Sequence, residues 1–331
     1  MLNRSKSVLE LAQEYTPTGL WELLNHPKLT DLCLNGSASG AMDLGKGLEA
    51  VEPYFEGSRL PFEDSQLRDW VLQLLSLSGR TWDARAPYFD FTLSNRFRFH
   101  VICPPLSPQG WVVSIRRLAA PSLDSGHSYW KNIQGFEIIE TAFRRGESVL
   151  ICGSTASGKT TFAAELLRGL PPGSRTLILE DTLELALNQP QAINLIARSA
   201  NADGCGEVPL RALLRQALRM RPDRIVLGEC RGAEVFELLQ ALNTGHSGTL
   251  ATLHSDSARG ACRRIELLCR LSPEARYLSE KTLREWIAAG IQWIVHLERG
   301  AFSERRISEI CRVEGIEGDT LVLRPMLRPS L

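Results

Sequence analysis

Gly153-Ser154-Thr155-Ala156-Ser157-Gly158-Lys159-Thr160 fits the pattern G-x-x-x-x-G-K-S/T at every fixed position, and its flanks supply the setting that pattern needs. Ser148-Val149-Leu150-Ile151-Cys152 before it is a short apolar run suited to a buried strand. Thr161-Phe162-Ala163-Ala164-Glu165-Leu166-Leu167 after it suits a helix. In a strand–loop–helix unit of this kind, Gly153 and Gly158 let the backbone turn sharply, so successive N–H groups and the helix N-terminus face the phosphates of a nucleoside triphosphate. Lys159 is then expected on the β and γ phosphates, the Thr160 hydroxyl on Mg²⁺ and Thr161 at the α phosphate. A Gly/Ser turn with an incidental lysine would not explain both flanks.

Working outward, residues from about 133 alternate strands and helices, the pattern of an α/β fold with a mostly parallel sheet. Strands are expected at 147–152, 175–180, 224–229 and 248–254, with helices near 207–220 and 232–243. Helices near 256–270 and 279–289 follow, then a strand at 291–297 and a hairpin of strands 305–313 and 319–325. Residues 1–120 carry no nucleotide motif and read as a smaller α+β domain, with an amphipathic helix at 65–78 and strands at 97–102 and 111–115. Residues 119–128, rich in Pro, Ser, Asp and Gly, are the best linker candidate. The expected division is 1–120, a linker at 121–132, and 133–331.

Lys+Arg and Asp+Glu each number 38 in a chain of 331 residues, so no global basic field exists to drive nonspecific nucleic-acid binding. No apolar run approaches the about 18 residues of a membrane span, and no signal-peptide core follows the N-terminus, which reads as a cytoplasmic protein. The eight cysteines form no C-x-x-C pair and several lie in apolar segments, as expected of reduced, mostly buried thiols.

Four further segments carry chemistry. Ile225-Val226-Leu227-Gly228-Glu229 is an apolar strand ending in a carboxylate, with Gly228 where many phosphate-loop enzymes place a Mg²⁺-binding Asp. Glu229 would polarise the attacking water, against the alternative of a solvated strand-end glutamate. Leu177-Ile178-Leu179 runs into Glu180-Asp181-Thr182-Leu183-Glu184, where paired acids suit a Mg²⁺ shell or simply an acidic loop. His246 lies in a Gly-bounded loop and His254 ends the strand after it; either suits a γ-phosphate sensor, though spacing alone favours structural hydrogen bonding. Arg211, Arg215 and Arg219 make a stripe whose default is a solvated or salt-bridged face.

Taken in order, G-S-T-A-S-G-K-T-T, L-I-L-E-D-T-L-E-L, L-R-M-R-P-D-R-I-V-L-G-E-C-R-G and N-T-G-H-S-G-T-L-A-T-L-H-S-D-S-A resemble the Walker A, Asp, Walker B and His boxes of the secretion-ATPase superfamily. The likeness is strong over about 133–325 and weaker over 80–117, and it fits best the compact conjugation, type IV secretion and Tad-pilus branch. The four-cysteine zinc module of type II secretion ATPases and the C-terminal Ala-Ile-Arg-Asn-Leu-type segment of retraction motors are missing. The resemblance implies a RecA-like phosphate-loop ATPase domain behind a PAS-like N-terminal domain, with ATP/ADP and Mg²⁺ at the site. It implies Glu229 as water activator, Glu180 as an aid to metal and water together with Thr160, and Arg231 near the nucleotide. His246 and His254 would couple phosphate to domain position, while Arg98 and Arg116 would reach the γ phosphate when the domains close. It further implies a homohexameric ring on the cytoplasmic face of the inner membrane, working with platform or channel proteins and without dedicated nucleic-acid binding. The rival readings are a DNA-stimulated RecA-like translocase or recombinase and a nucleotide-bound scaffold that does not hydrolyse.

Overall fold

A computed structural model describes residues 6–118 apart from 46, 129–198 apart from 186 and 188, 200, 205–300 and 304–327. The chain divides into two compact units at residues 120 and 121. The linker candidate at 119–128 lies outside the described residues. Residues 129–132, expected to continue it, instead hold the short 3-10 turn Trp130–Asn132, and Trp130 is buried against Phe162.

The first unit contains helices α1 (Val8–Tyr15) and α2 (Thr18–Leu24), strands β1 (Asp31–Asn35), β2 (Ser39–Asp43) and β3 (Leu48–Ala50), helix α3 (Asp64–Leu77), and strands β4 (Tyr88–Leu93), β5 (Phe97–Ile102) and β6 (Val112–Arg117). They form an antiparallel sheet in the order β3-β2-β1-β6-β5-β4. Alternation along β5 explains its two faces: Phe97, Phe99 and Val101 are buried, whereas Arg98 and His100 are not. The buried side packs Leu67, Trp70, Val71, Leu74 and Leu75 of α3, the stripe expected from the 65–78 periodicity. Helix α1 and strands β2, β3 and β4 were not expected from the sequence. β2 and β3 are short and contain Gly40, Asp43 and Glu49, a composition poor in strand formers.

The second unit opens with α4 (Phe136–Arg144), β7 (Val149–Gly153), α5 (Lys159–Arg168), β8 (Thr176–Glu180), β9 (Ala192–Ile196), α6 (Leu210–Ala217), β10 (Arg224–Leu227) and α7 (Glu234–Asn243). It ends with β11 (Leu250–Leu253), α8 (Ala258–Cys269), α9 (Glu280–Gly290), β12 (Trp293–Arg299), β13 (Arg305–Glu317) and β14 (Thr320–Leu327). The eight-stranded sheet runs β14-β13-β12-β7-β11-β10-β8-β9. From β9 to β12 every pairing is parallel, and β13 and β14 close one side antiparallel. Every residue of β7, β8 and β11 is buried, as strands covered by helices on both faces require. Each expected strand and helix of this unit is present within a few residues. The strand expected at 224–229 stops at Leu227, so Gly228 and Glu229 lie beyond it. β9 was not anticipated; its half-buried edge position needs less apolar sequence.

This strand order lines up the motifs. β7, β11, β10 and β8 are consecutive neighbours, so the segments leaving their carboxyl ends, at 153, 254, 228 and 180, stand side by side along one edge of the sheet. Among the described residues no helix is long and apolar enough to cross a membrane.

Candidate active site

The phosphate loop has the backbone its sequence calls for. Ala156 and Gly158 take φ of +61° and +94°, and α5 begins at Lys159 immediately after. Gly153 passes so close to β12 that a Cβ there would overlap the Leu297 carbonyl oxygen and lie 2.6 Å from Ser157 Oγ. Ser154, Thr155 and Ala156 are exposed, while Ser157 Oγ is buried without a hydrogen-bond partner. A buried hydroxyl lacking a partner, beside a helix N-terminus with free amides, is the donor set that an anionic phosphate completes.

Lys159 folds back within this loop: its ammonium donates to the carbonyls of Gly153 at 3.0 Å and Ser154 at 2.8 Å. It also lies 3.3 Å from His254 Nδ1. Burial pushes its pKa below the ordinary lysine value. The opposite nitrogen of His254 is 2.6 Å from Glu229 Oε1. Arg231 Nε donates to Glu229 Oε2 at 2.7 Å, and its Nη2 reaches the same oxygen. Arg231 is aimed by Glu234 at the start of α7, whose carboxylate accepts from the backbone N–H groups of residues 231 and 232 at 2.6 and 2.7 Å. One unbroken line of polar contacts thus runs Lys159–His254–Glu229–Arg231. The His254–Glu229 step is a close polar contact rather than an aligned hydrogen bond, since Glu229 Oε1 has no hydrogen-bond partner.

The Asp box is arranged differently from expectation. The carboxylate on the Thr160 hydroxyl is Glu184, at 3.1 Å. Glu180 is buried, and its oxygens accept from the N–H groups of Glu184 and Leu185 at 3.1 to 3.3 Å and from Asn194 Nδ2 at 3.4 Å. Burial raises its pKa to about 7. Glu180 therefore fixes the turn that carries Glu184, and Thr160 with Glu184 is the pair that would hold Mg²⁺. The packing of Glu180 also explains Gly228: a Cβ there would stand 2.7 Å from Glu180 Cγ, so the Walker B aspartate of other phosphate-loop enzymes has no room.

Four expected residues do not join this cluster. Thr161 Oγ1 donates to the Gly158 carbonyl and accepts from Trp130 Nε1 at 3.3 Å. It stays exposed at the loop, so its place suits the α phosphate. His246 precedes β11, whereas His254 follows it, and a strand of four residues spans about 13 Å. His246 consequently sits at the amino edge of the sheet, where its backbone bonds Ala241 and Thr249 and its Nδ1 is buried without a partner. Within this unit His246 therefore stands apart from the phosphate loop. Arg98 and Arg116 face each other across β5 and β6 on the polar side of the first unit's sheet. Arg116 Nε bonds Asp31 at 2.9 Å and Arg98 lies 4.0 Å from Asp90.

Sequence reasoning missed Glu184, Glu234 and Asn194. Glu184 stood in the quoted acidic segment, and its signal was its place one loop beyond a strand end. Arg211 and Arg215 are the salt-bridged face expected of their stripe: both pair with buried Glu237, at 2.8 and 2.7 Å, and Arg211 also holds Glu274 at 2.7 Å.

The profile of the type II/IV secretion system protein family matches residues 81–297. A putative conjugal transfer protein of Mycobacterium tuberculosis is 34% identical over 326 residues, covering 93% of this chain and 88% of its own length. VirB11 of Agrobacterium tumefaciens is 28% identical over 303 residues, or 83% and 86% of the two chains. The pilus retraction motor PilT, solved with ADP, superposes over 99% of this chain and 84% of its own, with a TM-score of 0.58 at 21% identity. The ATPase DotB of Legionella pneumophila does so over 90% and 77%, with a TM-score of 0.57 at 22% identity. These structural likenesses establish a shared fold.

Proposed function

Because the chain belongs to the type II/IV secretion system protein family, we propose that it is an ATP-hydrolysing motor for a type IV secretion or conjugation machine, or for a Tad or type IV pilus. The observation that carries the reading is the line Lys159–His254–Glu229–Arg231, which joins a phosphate-binding lysine to a carboxylate of the water-activating kind. A motif matched by chance would not bring its four boxes to neighbouring strand ends in contact with one another.

In this mechanism the loop amides of 153–161 and Lys159 grip the β and γ phosphates, and the ammonium exchanges its carbonyl partners at Gly153 and Ser154 for phosphate oxygens. Thr160 with Glu184 would hold Mg²⁺, which would supply charge neutralisation at the triphosphate. Glu229 orients and deprotonates the attacking water, and His254 reports the γ phosphate to Glu229 through the contacts of its two ring nitrogens with Lys159 and Glu229. Arg98 and Arg116 exchange Asp90 and Asp31 for the γ phosphate as the N-terminal unit closes on the nucleotide, and hydrolysis releases them. The proposed assembly is a homohexameric ring at the cytoplasmic face of the inner membrane, in contact with platform or channel proteins.

A phosphate-release assay on purified protein tests this reading. Wild type is expected to turn over ATP with Mg²⁺, and Lys159→Ala to lose that activity. Absence of hydrolysis by the wild-type protein would leave the nucleotide-bound scaffold as the better account. Stimulation by single-stranded DNA would favour a DNA translocase.

A further inference from the structure

His296, on β12, is a buried histidine that takes no part in the mechanism above. Its neighbours place it at the junction of the phosphate loop and the His254 loop. On β12, His296 is paired with Cys152 and the next residue, Leu297, with Gly153, where the phosphate loop begins. The ring also meets the backbone of Ser255, the residue after His254, and lines one cavity with Asp256 and Ser257 of that loop. Its Nδ1 lies 2.6 Å from Ser308 Oγ on β13. A second tie acts three residues further along: the Ala258 N–H donates to Glu309 Oε2 of β13 at 3.0 Å.

We propose that His296 is a positioning residue for ATP hydrolysis, tying the 254–258 loop to β12 and β13 so that His254 stays bridged between Lys159 and Glu229. The inference rests on the ATPase reading. The hydrogen bonds define what the ring must supply. A neutral imidazole that accepts at Nδ1 from the Ser308 hydroxyl, which also lies 3.1 Å from the His296 carbonyl, presents its other N–H toward the Ser255 backbone. Burial favours that neutral form by lowering the ring's pKa. Opposing it are the carboxylates that face the ring: Glu298 at 3.7 Å on the same strand, Glu309 on β13 and Asp256 in the tied loop. Arg259 of α8 lines the same 410 Å³ cavity and sides with burial. On this proposal the ring's N–H, and not its volume, holds the His254 loop.

Two substitutions separate these. His296→Leu fills the site without a donor, whereas His296→Gln keeps an N–H near the position of the imidazole Nε2. Phosphate release and binding of a fluorescent ADP analogue are measured for both, with melting temperature as the check on folding. His296→Leu is expected to lower kcat about tenfold or more while KM and the ADP analogue's Kd stay within about twofold, because a loop displaced by a fraction of an ångström misaligns the reacting groups without removing the phosphate grip. His296→Gln is expected to recover most of the lost kcat. Wild-type kcat in the leucine variant, or equal losses in both variants, overturns the proposal. If the leucine variant does not fold, Ser308→Ala decides: a kcat lowered about two- to fivefold at unchanged Kd supports the tie, and wild-type kcat overturns it. Wild-type protein that hydrolyses while every variant matches it sinks this inference alone. Wild-type protein that does not hydrolyse sinks the ATPase reading and this inference with it.

Discussion

The two edges of the eight-stranded sheet use polar residues differently. At the carboxyl edge, side chains from neighbouring strand ends contact one another: Lys159 with His254, His254 with Glu229, Glu229 with Arg231, Thr160 with Glu184. At the amino edge several of them bond backbone or pack, beside the side-chain pairs Trp293 Nε1 to Glu147 Oε2 at 2.6 Å and Arg175 Nη1 to Gln191 Oε1 at 3.3 Å. Arg224 lies over the Phe143 ring at 5.3 Å and donates to the Arg144 carbonyl, and Ser148 Oγ accepts from the Thr249 N–H. Chemistry needs functional groups that answer to each other and to a ligand; closing the ends of strands needs only backbone satisfaction. One motif, N-T-G-H-S-G-T-L-A-T-L-H, threads through both edges and contributes a histidine to each.

The strongest way to break this contrast is to disable the carboxyl edge. Glu229→Gln is expected to keep ATP binding and to lower kcat by about 10²–10⁴, the range for losing a positioned base. Near-normal turnover in that variant would take Glu229 out of the role of water activator. A comparable loss is expected of Arg116→Ala, since arginine fingers contribute about 10³–10⁵ elsewhere. Unchanged specific activity there would place the finger on another residue and confine the chemistry to the second unit.

The paired histidines sharpen the comparison directly. His254→Ala should reduce kcat about 10–100-fold, because it severs the link between Lys159 and Glu229. His246→Ala should alter it less than about threefold, as a residue at the far edge of the sheet. Steady-state kinetics on both variants at saturating ATP measure the difference, and equal losses would show that the edges are coupled through β11.

Much of this was legible in the sequence because the central strands must be buried on both faces. Runs such as Val149-Leu150-Ile151-Cys152 and Ile225-Val226-Leu227 can be little else, and a carboxylate or glycine loop directly after them marks the active edge. What was not legible depends on chain direction and side-chain reach. Spacing put His246 and His254 in one box, but only the intervening strand assigns them to opposite edges. Spacing also could not rank Glu180 against Glu184, since the first is turned inward by the amides of a loop that the second rides on. The half-buried strands β2, β3 and β9 lack the apolar runs that betray central strands, and their formation depends on neighbours supplied by the sheet.

Glu180 offers the smallest and most specific test of the carboxyl edge, because it is a buried acid there given over to structure. Its folded pKa of about 7 lies above the ordinary carboxylate value of 4.5. Between those limits the folded protein holds a proton that the unfolded chain has released, so stability falls as pH rises through this window and then stays level. The cost at pH 8 is up to about 3 kcal/mol, the free-energy equivalent of that shift. Glu180→Gln retains an acceptor for the Glu184 and Leu185 amides and cannot ionise. It should melt close to wild type near pH 5 and above it at pH 8, as read by thermal unfolding across that range. Parallel pH profiles for the two proteins would mean that Glu180 ionises freely in the fold. It would then regain a claim to the metal, at the expense of Glu184.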